Sequence, residues 1–246
     1  TAIGALTTKA IEGYAAQEQL VGGVETLFKT SSDTVVGYAN DAYKTAGMSA
    51  NEYMETVTSF SASLLASMNN DTAAAAEKAN VAITDMSDNA NKMGTDISLI
   101  QNAYNGFAKQ NYTMLDNLKL GYGGTKEEMQ RLLDDASKLS GIKYDISSYS
   151  DVVDAIHVVQ TEMGITGTTA KEASTTIEGS VSSMSSAWDN WVAGMADSEA
   201  NFSQLTSNLV DSIVTVVGNI APRVIETVPR LVSGLGEIVE QLATYI

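Results

Sequence analysis

His157 is the only histidine in 246 residues, and Asp154 stands three positions before it. On a helix that spacing puts carboxylate and imidazole on one face, half of an acid-base pair. Catalysis needs more than that, and no pattern in the chain assembles a base, an acid and an orienting partner. A lone histidine beside a helix's core stripe reads as structural. Zero cysteines exclude a thiol nucleophile, a disulfide framework and zinc thiolate sites. No Asp-x-Asp-x-Asp-Gly calcium loop occurs either. The acidic pairs Glu127-Glu128 and Asp134-Asp135 read as a first turn that offsets the helix dipole and as a solvated face. No catalytic, cofactor-binding or metal-ligating residue is therefore expected, and the chain reads as a non-enzyme.

The stretch Leu120-Gly121-Tyr122-Gly123-Gly124-Thr125-Lys126-Glu127-Glu128 invites a phosphate-loop reading. Such a loop needs Gly-Lys-Ser/Thr after a strand, whereas the order here is Gly124-Thr125-Lys126 after a helical segment. It reads instead as a structural connector that ends one helix and starts the next. Gly121, Gly123 and Gly124 permit the positive φ of a tight helix exit, and Thr125 with Glu128 forms a Thr-x-x-Glu capping box.

The elements that carry these residues are helices. Two prolines, both beyond residue 220, and few aromatics among abundant Ala, Ser, Thr, Met and Leu predict an all-α chain. A hydrophobic content of 44% is enough for a buried core. Thirty acidic against fourteen basic residues, a net charge of −16, repel nucleic acid and anionic membranes, so no specific nucleic-acid binding is expected. The opening Thr1-Ala2-Ile3 lacks an initiator Met and a signal peptide and reads as part of a longer polypeptide.

Helical spacing of Ala10, Tyr14, Val21, Val24 and Phe28 marks an N-terminal helical segment, residues 1–44, in which Gly13, Gly22 and Gly23 call for outside support. Asp33 is the expected N-cap of a second helix through Tyr43, and Ser49 to Glu52 a capping box for a third. Residues 45–165 read as a compact multi-helix bundle. Its stripes are Tyr53, Val57, Phe60, Leu64 and Met68; Ile97, Ile100, Tyr104 and Phe107; Met129, Leu132, Leu133, Ala136 and Leu139; and Val152, Ile156, Val159 and Met163.

Residues 166–246 differ. After a third expected capping box, Thr169 to Glu172, eight of the fifteen residues from Ser174 to Trp188 are Ser or Thr, which suits a helix against a crowded neighbour. Beyond them comes a long amphipathic, coiled-coil-like stripe: Leu205, Leu209, Ile213, Val216, Ile220, Val224, Val228, Leu231, Leu235, Ile238 and Leu242. That is 37 residues in ten steps, 3.7 per step, close to an eleven-residue repeat with straight or slightly right-handed coiling. The stripe is the expected self-association surface, with Pro222 and Pro229 kinking or dividing it. Its longest uncharged run, Ser212 to Pro222, is about half of what a spanning helix needs.

Several blocks carry a family resemblance. They are Met48 to Ser63 (MSANEYMETVTSFSAS), Ile83 to Gly94 (ITDMSDNANKMG), Gln101 to Tyr104 with Gly106 to Tyr112, the connector Gly121 to Glu128, and Gly164 to Ala173 (GITGTTAKEA). Over roughly residues 1–195 the chain resembles the core region of tape measure proteins from tailed phages, and phage-like tailocins, of Gram-positive bacteria. The resemblance implies a structural protein in the virion, lying in the lumen of the tail tube, whose length sets tail length and which leaves ahead of the DNA. It also implies partners: further copies of itself as a trimer or hexamer, the tail tube protein, tail assembly chaperones, and baseplate or tail-tip proteins. After ejection it implies the host envelope, with membrane contact.

Two rivals belong to other classes. Some relatives carry a peptidoglycan-degrading module, but one histidine and no cysteine argue against zinc and Cys-His peptidases, and no Glu-Ser pair of the lytic transglycosylase kind occurs. A helical signalling or stalk protein would share the Ala/Ser/Thr-rich helices, yet connectors at Gly47, Gly94, Gly121 and Gly164 argue against one uninterrupted stalk.

Overall fold

The first amides of a helix need oxygen partners, and short polar side chains placed one residue ahead supply most of them here. The computed structural model describes residues 2–243, with the side chains of 235, 236 and 238–243 outside the description. Its order is α1 (Ala2–Phe28), α2 (Ser32–Thr45), α3 (Ala50–Ser67), α4 (Thr72–Met93), α5 (Ile97–Phe107), α6 (Lys126–Ser140), α7 (Tyr149–Glu162), α8 (Thr168–Thr175), α9 (Ile177–Gly194) and α10 (Phe202–Ala243). Ser49 and Glu52 close a reciprocal capping box on α3, while Asp71, Asp96, Thr125, Ser148 and Thr176 cap α4, α5, α6, α7 and α9. Gly94 and Gly141 end α4 and α6 in the left-handed region, at φ of 62° and 74°. The chain is all-α, with no strand among the described residues.

One core runs from Val24 to Ile165 and joins the end of α1 to α2 through α7. At its centre lies α4, in which residues 85–90 are all buried, while Asn91 and Lys92 of its last turn are exposed. Phe60 meets Tyr149 edge-on across α3 and α7, with ring centroids 6.3 Å apart. Gly13, a weak point for an isolated helix, is where α1 meets α9. A Cβ there would stand 3.2 Å from that of Ala193. Asn51 Nδ2 donates to Gly13 O at 3.0 Å and Ala50 N–H to Asn190 Oδ1 at 2.7 Å, which ties α1, α3 and α9 at one point.

Several local expectations are corrected. The N-cap position of α2 is Ser31, the last residue of a 3-10 turn (Lys29–Ser31), and Asp33 sits in the first turn instead. Leu139 and Met163 drop out of their stripes, at 50% and 45% exposed: Leu139 lies in the last turn of α6 and Met163 is the residue that follows α7. The connector does not leave an α-helix. It follows a 3-10 turn (Leu115–Leu118), and of its three glycines only Gly121 has positive φ, at +88°. Gly124 is required by space: a Cβ there would lie 2.3 Å from Thr113 O. Thr125 caps α6, but Glu128 reaches past it to accept from Gly123 N–H at 2.9 Å and from Arg131 Nε at 3.0 Å. Arg131 above all, then the Gly123 amide, pull the Glu128 carboxyl down to about 2.

Candidate functional site

Two features gather polar or apolar groups beyond what a helix bundle needs. The first is a buried polar seam. Asp85, Ser87, Asp88 and Asn89 flank the apolar line Ala82, Met86 and Ala90 of α4, and all four are buried. Burial demands partners. Asp85 receives His157 Nδ1 at 2.9 and 3.0 Å from its two carboxylate oxygens. Asp88 accepts the amides of Gly167 at 2.6 Å and Thr169 at 2.8 Å, and so caps α8 from another helix. Thr169 and Glu172 form no capping box: the N-cap position is Gly167, and the Thr169 hydroxyl accepts from Asn91 Nδ2 at 2.9 Å. Asn89 Nδ2 bridges Leu118 O and Gln160 Oε1, at 3.0 and 2.7 Å.

The partner of His157 is thus Asp85, 72 residues away, and Asp154 pairs with Lys78. The Asp85 hydrogen bond raises the imidazole pKa above its ordinary 6.5, against partial burial. Burial pushes the Asp85 carboxyl up, with His157 opposing it. An Asp-His couple orients an imidazole for proton transfer, but no hydroxyl among the described residues bonds its Nε2. Nor does any group of three His, Asp or Glu side chains among those residues gather as metal ligands.

The second feature is α10. Its first five turns pack on α9: Trp191 stacks on Phe202 at 5.5 Å and donates from Nε1 to Thr206 Oγ1 at 3.0 Å. Asn219 Nδ2 reaches the carbonyls of Thr176 at 3.1 Å and Ser174 at 3.3 Å. Gly194 leaves room for Leu205, whose Cδ1 would stand 2.2 Å from any Cβ there. Of the expected interface, Leu209 and Val216 are buried by this chain itself, Leu205 and Ile220 are half-buried, and Ile213, Val224 and Leu231 are exposed. Leu235, Ile238 and Leu242 have side chains outside the described residues.

Leu209, Ser212, Val216 and Asn219 are therefore one face, turned to α9, while the exposed apolar residues follow a different line. Val210, Val214, Val217, Ala221, Val224, Val228 and Leu231 alternate steps of four and three, a heptad with d at Val210 and a at Val214. Leu235, Ile238 and Leu242 continue the same spacing in sequence. The 3.7-residue stripe mixes two faces: Leu209 and Val216 lie on the α9 side, while Ile213, Val224 and Leu231 are exposed. The exposed line repeats every 3.5 residues rather than 3.7.

From Ala221 to Ser233 every residue is exposed. The c and f positions, which met α9 earlier, become Arg223, Glu226 and Arg230 there, while Ile225 and Val232 at e widen the apolar face at 72% and 65% exposure. The helix runs undivided through Pro222 and Pro229. Both prolines fall at b, so their lost amide bonds lie off the apolar seam. By length and composition Phe202–Gly234 could also cross a membrane, but Asp211, Arg223, Glu226 and Arg230 interrupt it, and the seven-residue apolar line suits helix pairing better. Comparison of the chain with family models, with curated proteins and with solved structures found no match.

Proposed function

We propose that the chain is a piece of a tail tape measure protein, a structural component that self-associates through α10, lies in the lumen of the tail tube and sets its length during assembly. The carrying observation is the unpartnered heptad face of α10 leading away from a packed bundle. It supports the resemblance in the sequence blocks, because a ruler needs an axial element joined in register to its copies. β-Branched valine at both a and d shifts the preference to three or more strands. The tail tube protein, assembly chaperones and tail-tip proteins are the partners this role requires, and release to the host envelope would bring the same apolar face to a membrane.

The test is tail length in the intact particle. Removing or duplicating seven or fourteen residues within 214–234 keeps the heptad in register and should change the tail by about 1.5 Å per residue, roughly 10 or 20 Å. Averaged electron micrographs resolve the trend across the series. Constant tail length throughout would overturn the ruler reading, while light scattering on the Val217→Asp, Val224→Asp chain checks self-association separately.

A further inference from the structure

A cavity of about 490 Å³ opens between the α2–α3 connector, α3, α4 and α5, with Ser182 of α9 at its edge. Its volume suits a small ligand or a side chain with adjoining backbone. Glu52 and Glu55 lie three residues apart on the α3 wall, and Gln101, Asn102 and Asn105 line the α5 wall. The lining holds no Lys, Arg or His.

Much of this polar surface is only partly used within the chain. Glu52 spends Oε2 on the Ser49 amide and hydroxyl, at 2.8 and 3.1 Å, which leaves Oε1. Gln101 spends its amine on Thr56 Oγ1 at 3.0 Å and keeps its carbonyl. Most telling is Ser87 of α4: it lines the cavity, is 3% exposed, and its Oγ has no hydrogen-bond partner. A buried hydroxyl without a partner is unfavourable, so a ligand that supplies one is favoured.

Two carboxylates and amide carbonyls, with no cation to answer them, reject phosphates and carboxylates and attract a donor-rich cation. A guanidinium carries five N–H donors in a plane and no acceptor. We infer that this cavity receives an arginine side chain of a partner peptide segment, with Glu52 and Glu55 holding the charge and Ser87, Gln101 and Asn102 taking the remaining donors. This site is independent of α10 and of the ruler reading.

Calorimetric titration of the chain with acetyl-Gly-Arg-Gly-amide, and with its citrulline counterpart of the same shape and no charge, tests the assignment. The arginine peptide should bind saturably and the citrulline peptide at least about ten-fold more weakly. Glu55→Gln, at an exposed position that leaves the fold intact, should weaken the arginine peptide by a similar factor, and Ser87→Ala should weaken it while circular dichroism stays unchanged. Glu127→Gln on α6, away from the cavity, should have no effect. Absence of binding at millimolar peptide, equal binding by citrulline, or equal losses in Glu55→Gln and Glu127→Gln would overturn the proposal, the last by showing only attraction to an acidic surface.

Discussion

Asp88 offers the sharpest test of how α8 is held. Its carboxylate is completely buried and accepts two amides at the start of a helix whose own N-cap position, Gly167, has no side chain to offer. Asp88→Ala removes two hydrogen bonds to a charged group, each worth about 1.5–3 kcal/mol. The two amides then fare differently. Gly167 is exposed, so water replaces the carboxylate, whereas Thr169 is buried and its N–H stays unpaired. Against these losses stands the relief of no longer burying a carboxylate. The balance is a destabilisation of about 3 kcal/mol, or roughly 6–12 °C in Tm for a chain of this size. Asp88→Asn keeps one acceptor and turns an amine toward the other amide, so it should fall between Ala and the parent. Urea denaturation followed by circular dichroism gives the stabilities, and hydrogen exchange at the Thr169 amide should accelerate in Asp88→Ala. A stability loss below about 0.5 kcal/mol with the Thr169 amide still protected would refute the view that Asp88 caps α8.

Other outcomes follow from the same contacts. Gly124→Ala should destabilise by about 2–3 kcal/mol because its Cβ meets the Thr113 backbone, while Gly123→Ala, 3.5 Å from flexible Glu128 Cγ, should cost less than about 1 kcal/mol; equal effects in thermal melts would contradict this. The pH dependence has a definite sign. His157 has a raised pKa, so its contribution is complete below 6.5 and fades as pH rises through the folded value. The urea midpoint should therefore decline as pH rises above 6.5 in the parent and flatten there in His157→Gln; a midpoint that climbs, or an unchanged decline in the variant, would exclude the Asp85-His157 pair as its source.

Local chemistry was legible residue by residue. Ser49 with Glu52, Thr125 and Gly94 acted as caps and stops because helix ends are satisfied by groups within a few residues along the chain. Apolar spacing likewise located the stripes of α3, α5, α6 and α7, since a buried face must repeat with the helix. Tertiary structure decided what depends on residues distant in sequence. Asp85 and Asp88 looked like ordinary polar positions, and their partners His157, Gly167 and Thr169 lie 72 to 81 residues away. In α10 the sequence supplied the apolar residues but not their division into two faces. A periodicity records that a side chain is apolar, and only the position of α9 determines which of those residues are already covered.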